Sequence, residues 1–167
     1  MMTSNQILNK VETSGILTVD PYDFRPTNRS VPFDLKTLLF HELIIQEKHF
    51  KECLQSIEWS QYANKPVAVF CSVDTIVPPW TYMMIASHLE VIASDVFFGP
   101  HEIHNLYLWK QQIEQADFNE LKDKKVVIRA HVDLDPSIFV ACTTRLKPVV
   151  KTLMYGEAGL PKVIWKN

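Results

Sequence analysis

Two stretches, KPVAVFCSVD (65–74) and SHLEVIASDVFFG (87–99), return later in the chain as KVVIRAHVD (125–133) and TRLKPVVKTLMYG (144–156). Lys65 stands opposite Lys124 in the first pair, the second pair aligns without a gap, and the joining loops differ by two residues. Val67 to Cys71 is a continuous apolar run, the pattern of a strand buried on both faces, and Val126 to Ile128 repeats it. A polar, proline-bearing turn follows each run, Ser72–Pro79 and Val132–Pro136, and then a helical stretch, about Trp80–Ile92 and Ser137–Val149. A short strand closes each copy, Val96–Phe98 and Leu153–Tyr155, ending at Gly99 and Gly156 in the shared pattern Leu-x6-[Val/Leu]-x-[Phe/Tyr]-Gly. Strands alternating with helices predict an α/β protein with a mostly parallel or mixed sheet and helices on both faces. Units 65–99 and 124–156 are then an internal repeat of a strand–helix–strand motif.

Working outward, the chain of 167 residues fits one domain, 1–167, with residues 1–64 as a helical and extended N-terminal cover. Ile7, Leu8 and Val11 lie at helical spacing between a Ser4 cap and a Gly15 stop. Ile16–Val19 reads as a strand closed by Asp20-Pro21, and the stretch from Pro21 to Pro32 as an irregular connection. Asp34 can cap a helix carrying Leu35, Leu38, Leu39 and Leu43, and a second helix over Gln46–Ile57 gathers Phe50, Cys53, Leu54 and Ile57 on one side. Pro100 opens a helix through Ile113. In the helix over 80–92, Met83, Met84, Ala86 and Val91 are expected to face the sheet, with Ser87, His88 and Glu90 outside.

Composition bounds the function classes. A net charge of −2 creates no field that would gather nucleic acid, and the lysines at 122, 124 and 125 read as a solvated turn. No apolar run approaches the roughly 20 residues that span a bilayer, so no membrane partner is expected. Three widely spaced cysteines without a CxxC motif argue against a disulfide framework and for a reducing, cytoplasmic location. The N-terminal stretch has no apolar segment of signal-peptide length. The four glycines are unclustered, which removes phosphate-cradling loops and dinucleotide fingerprints, and there is no GxSxG nucleophile elbow.

Ligands of open α/β sheets bind at the carboxyl ends of strands, here strands 66–71 and 125–131. If these strands were neighbours, Cys71, Asp74, His131 and Asp133 would share one rim. A thiol beside an imidazole suits nucleophilic catalysis, and the same pair, Cys71 and His131, suits part of a zinc or iron site. Against this, Cys71 ends an apolar run and reads equally as a small buried hydrophobe, and Asp74 and Asp133 as turn caps. His101-Glu102-Ile103-His104 has a spacing of three where a zinc protease helix needs four, and is expected to be a surface helix start. His41-Glu42 is expected on the polar side of its helix. Trp80, opening a helix after Pro78-Pro79, is a pocket or packing residue.

The segments NKVETSGILTVD (9–20), FDLKTLLFHELIIQEKHFKECL (33–54), WSQYANKPVAVFCSVDTIVPPWTYM (59–83) and RLKPVVKTLMYGE (145–157) resemble domain-of-unknown-function family 2480, a group of small bacterial proteins found chiefly in Bacteroidetes. The resemblance covers nearly the whole chain and implies no activity. It implies cysteines at the positions of Cys71, His131 and Gly159; this chain keeps the first, exchanges the second for histidine and lacks the third. The resemblance thus points to the strand rim while leaving a metal site there a ligand short. Two function classes follow: a small binding or interaction protein without catalysis, forming a homodimer through edge strands near 16–19 and 162–165, or a metal- or cysteine-dependent enzyme built on Cys71 and His131.

Overall fold

A computed structural model describes residues 9–10, 15–157 and 159–167. The elements in chain order are β1 (Asn9–Lys10), β2 (Ile16–Val19), β3 (Val31–Asp34), α1 (Glu47–Ser56), β4 (Pro66–Phe70), α2 (Pro79–Leu89), β5 (Asp95–Phe98), α3 (His101–Gln115), β6 (Lys125–Arg129), α4 (Pro136–Leu146), β7 (Thr152–Gly156) and β8 (Lys162–Lys166). Short 3-10 turns occupy Pro21–Phe24, Leu35–Leu38, Trp59–Tyr62 and Asn119–Leu121. The α/β class is as expected, but the strands form two sheets where the sequence suggested one. Each sheet belongs to its own compact unit, residues 1–26 with 106–167, and residues 27–105.

The first unit holds a five-stranded sheet in the order β1-β2-β6-β7-β8. Strands β2, β6 and β7 run parallel, with Leu17 opposite Val126 and Val126 opposite Leu153, while β1 and β8 are antiparallel margins. Val19, Val126, Ile128 and Leu153 meet Trp109 and Ile113 of α3 and Ile138, Cys142 and Leu146 of α4 in one core. The alternate residues Thr18, Val127, Thr152 and Met154 are buried as well, so both faces of the central strands are covered. In the second unit β3, β4 and β5 are parallel. Val67 and Val69 pack with Phe50 and Leu54 of α1 and Ile85 and Leu89 of α2, and Ala68 on the other face is also buried.

The two units share a backbone frame. In one, Asn64 N–H donates to Ile92 O (2.8 Å) and Ser94 N–H to Lys65 O (3.0 Å); in the other, Asp123 N–H donates to Val149 O (3.0 Å) and Lys151 N–H to Lys124 O (2.8 Å). These are the positions matched in the sequence alignment. Asn64 and Asp123 hold left-handed φ values of 57° and 60°, a conformation that short polar side chains tolerate. Leu89 and Leu146 are fully buried at the ends of α2 and α4. Gly99 and Gly156 leave β5 and β7 at φ of 133° and 120°, which only glycine adopts without strain.

Several expectations are corrected. The α2 face differs in part from the expected one: Ser87, His88 and Glu90 are exposed and Met84 packs half-buried against the core as expected, but Thr81, Ile85 and Leu89 form the buried row, and Met83 is 70% and Val91 74% exposed. The helix ends at Leu89, so Val91 lies beyond it, and the i, i+4, i+8 row through Thr81 takes the core in place of Met83. Residues 35–38 make a 3-10 turn and not a longer helix; Leu43 is 63% exposed, and His41-Glu42 sits in a turn with φ of 51° and 57°. His104 is no surface residue but is wholly buried. Strand β2 is interior, paired on both sides, so of the two expected edge strands only β8 is an edge. The helix expected around Ile7–Val11 lies outside the described residues except at Asn9–Lys10, which pair with Leu17 and Thr18 as a strand.

Candidate functional site

The carboxyl ends of the adjacent parallel strands β2 and β6 are joined by one carboxylate. Asp20 directly follows β2, and its Oδ1 accepts from Tyr22 N–H at 3.0 Å, capping the turn at Pro21–Phe24. The same side chain reaches the residues that end and follow β6: Arg129 Nη1 donates to Oδ2 at 2.8 Å, and His131 Nε2 meets Oδ1 at 2.9 Å. Burial works against the Asp20 charge, but the Tyr22 amide, His131 and Arg129 outweigh it and hold the carboxyl below its ordinary value. An ionised Asp20 requires a proton on Nε2 of His131. The other ring nitrogen, Nδ1, has no hydrogen-bond partner among the described residues, and it accepts in the neutral ring and donates in the protonated one.

Tyr22 completes the rim. Its hydroxyl donates to Asp133 Oδ2 at 2.6 Å, and its ring meets His131 edge-on at 4.7 Å and Trp109 at 5.5 Å. Trp109 is buried and fixed by donating Nε1–H to Pro21 O at 3.0 Å. The hydrogen bond to Asp133 pushes the Tyr22 phenol up and holds the Asp133 carboxyl down, the two consequences of one shared proton position. Burial and the nearby Asp20 charge raise the Asp23 carboxyl. Arg25 is exposed, with its guanidinium 5.8 Å from the Tyr22 ring and 5.5 Å from the Trp109 ring. That guanidinium has no hydrogen-bond or ion-pair partner among the described residues.

The second unit repeats the frame with different chemistry. Asp34 ends β3 and caps the turn at Leu35–Leu38 by accepting from Lys36 N–H at 3.0 Å. Its Oδ1 also accepts from Ser72 N–H at 3.0 Å, just past β4. In the alignment Ser72 stands where His131 does, and Phe70 where Arg129 does. One frame therefore carries a self-satisfied structural cap, and the other a cluster of ionisable groups.

Of the residues singled out from sequence, His131 and Asp133 come together around Tyr22. Cys71 follows β4 in the other unit, half-buried, with its S–H directed to Val73 O at 3.5 Å, and Asp74 is exposed beside it. Because β4 and β6 belong to different sheets, neither sheet supplies the shared rim that a Cys71–His131 pair required. Among the described residues no group of three His, Cys, Asp or Glu side chains is arranged to hold a metal ion. Gly159 offers no side-chain ligand. Trp80 packs edge-on against Phe50 at 5.5 Å, a core contact. Sequence reasoning missed Asp20, Tyr22, Arg25 and Arg129; the available signal was the apolar-strand–Asp pattern shared by ILTVD (16–20) and VPFD (31–34).

The profile of the family described as "Protein of unknown function (DUF2480)" matches residues 5–167. The chain belongs to this family. No curated protein and no solved structure matches it. Membership in DUF2480 thus covers both units, including every residue of the rim, and prescribes no chemistry for them.

Proposed function

We propose that the chain is a small binding protein whose ligand is an anionic small molecule, a carboxylate or phosphate, held at the carboxyl rim of the five-stranded sheet. The observation that carries this reading is the pair of unused groups at that rim. Arg25 lies over Tyr22 and Trp109 with its donors unpaired, and His131 is oriented by Asp20 with Nδ1 open. Arg129 Nη1 and the Tyr22 hydroxyl are engaged by Asp20 and Asp133, so they help set the position of the open groups. A guanidinium fork matches two carboxylate or phosphate oxygens, and protonated His131, against the same Tyr22 ring, would add a donor. The location, past the ends of adjacent parallel strands, supports the same reading. Three free thiols support a reducing compartment such as the cytoplasm. Among the described residues no helix is long and apolar enough to cross a membrane. The matching hydrogen bonds of the two units support an internal duplication in which one rim was specialised.

The test is calorimetric titration with inorganic phosphate, acetate and succinate. Saturable binding of one of them, weakened about tenfold or more by Arg25→Ala, is the expected result, a loss of about 1.4 kcal/mol. Equal binding by Arg25→Ala, or no binding at millimolar concentration, would overturn it. The Asp20–His131 dyad favours a second reading, general acid–base catalysis, because a carboxylate-oriented imidazole with one open nitrogen can accept a substrate proton. Turnover lost in His131→Gln while binding is retained would select this reading over simple binding.

A further inference from the structure

Helix α1 places His49 and Cys53 four residues apart, and so on one face, one above the other. Cys53 Sγ lies 3.4 Å from His49 Nε2, and both side chains are half-buried, reachable from solvent at the edge of the second unit's core. The Phe40 ring stands edge-on to the His49 ring at 5.6 Å, which limits where that ring can turn. This is the thiol–imidazole pair that sequence reasoning sought at Cys71, found on a helix and not at a strand end.

We propose that Cys53 is a modification site of this protein, a thiol activated by His49 and open to soft electrophiles and hydroperoxides. His49 Nε2 takes the Sγ–H proton, and the thiolate attacks. With a hydroperoxide the sulfur bonds to the distal oxygen as the O–O bond breaks. Sulfur is oxidised by two electrons to the sulfenic acid, the peroxide is reduced, and the leaving alkoxide or hydroxide takes the proton from His49 as alcohol or water. With a haloacetamide an S–C bond replaces the C–halogen bond, halide leaves, and the proton passes from His49 to solvent. The other two thiols lack this partner. Cys71 directs its hydrogen at a backbone carbonyl. Cys142 is fully buried in the other core, where burial pushes its thiol up to about 12.

The experiment treats the intact, reduced protein with limiting iodoacetamide and follows each cysteine-containing peptide by mass spectrometry. Cys53 is expected to react at least about tenfold faster than Cys71, with Cys142 labelled only after unfolding in urea. Hydrogen peroxide followed by dimedone should leave its adduct on Cys53. His49→Gln should lower the Cys53 rate about tenfold without changing that of Cys71. Preferential labelling of Cys71, or an unchanged Cys53 rate in folded His49→Gln, would overturn the proposal. The Cys53 to Cys71 ratio in the unaltered protein needs no variant, so it decides the matter even if His49→Gln does not fold.

Discussion

Replacing Asp20 tests whether the rim is an energetic hub. Asp20→Ala removes the cap bond to Tyr22 N–H, worth about 1 kcal/mol. It also removes charge-assisted bonds to His131 and Arg129, each worth about 1.5–3 kcal/mol where water is excluded. The side chains of Arg129 and His131 are 34% and 22% exposed and can partly rehydrate, which discounts those two contributions. A net loss of about 3 kcal/mol follows, or a fall in Tm of about 6–12 °C for a chain of this size. Asp20→Asn keeps an acceptor for the Tyr22 amide and should lose about half as much. The pH dependence supplies a sign. Because the folded carboxyl is held below its ordinary 3.8, its ionised contribution is complete above that value. It is lost as pH falls through the lowered value, so the gap between the parent and Asp20→Asn should shrink in acid. Urea unfolding at neutral pH and at a series of acid pH values measures both quantities. A loss under about 1 kcal/mol for Asp20→Ala, or a gap that is constant into acid, would refute the hub.

Four further substitutions address the fold. Ile85→Ala should cost about 2–5 kcal/mol, while Met83→Ala, on the exposed side of α2, should change stability by less than about 0.5 kcal/mol in the same denaturation assay. Gly99→Ala should destabilise by about 1–3 kcal/mol by thermal unfolding, because φ is 133° and the new Cβ would stand 3.0 Å from the Phe97 ring. His104→Ala should cost about 2–4 kcal/mol by calorimetry, since the wholly buried ring links Ser30 Oγ at 2.8 Å to Asp95 Oδ2 at 2.7 Å.

What the sequence made legible follows from the range of the interactions involved. The runs at 67–71 and 126–128 are apolar on consecutive residues because the strands are buried on both faces, and that needs no partner to be read. The glycines at 99 and 156 mark a backbone conformation, also a local property. Which strands pair is not local. Leu17 could be placed beside Val126, and Val31 beside Val67, only by knowing that residues far apart in sequence meet. The expected Cys71–His131 rim depended on that pairing and lost its basis with it. The α2 face was misread because the helix is apolar nearly all round, so periodicity alone does not select Ile85 over Met83. His104 was placed on the surface because its partners, Ser30 and Asp95, lie outside its helix.

The comparison of Asp20 with Asp34 separates structure from function within one chain. Both aspartates leave the end of a parallel strand, cap a 3-10 turn and reach the second residue beyond the neighbouring strand. At Asp34 the turn is closed by a carboxylate accepting from the Lys36 and Ser72 amides, helped by the Ser72 side chain, with no arginine or histidine. The frame at Asp20 needs no more, yet it carries Arg129 and His131 where the other has Phe70 and Ser72. A half-buried ion pair adds little stability, since desolvation and solvent screening offset most of the attraction. The extra groups at Asp20 therefore call for an explanation other than holding the turn. An imidazole held at one nitrogen and open at the other against the Tyr22 ring, with a guanidinium over the Tyr22 and Trp109 rings, supplies it as a place where a ligand's charge can be met.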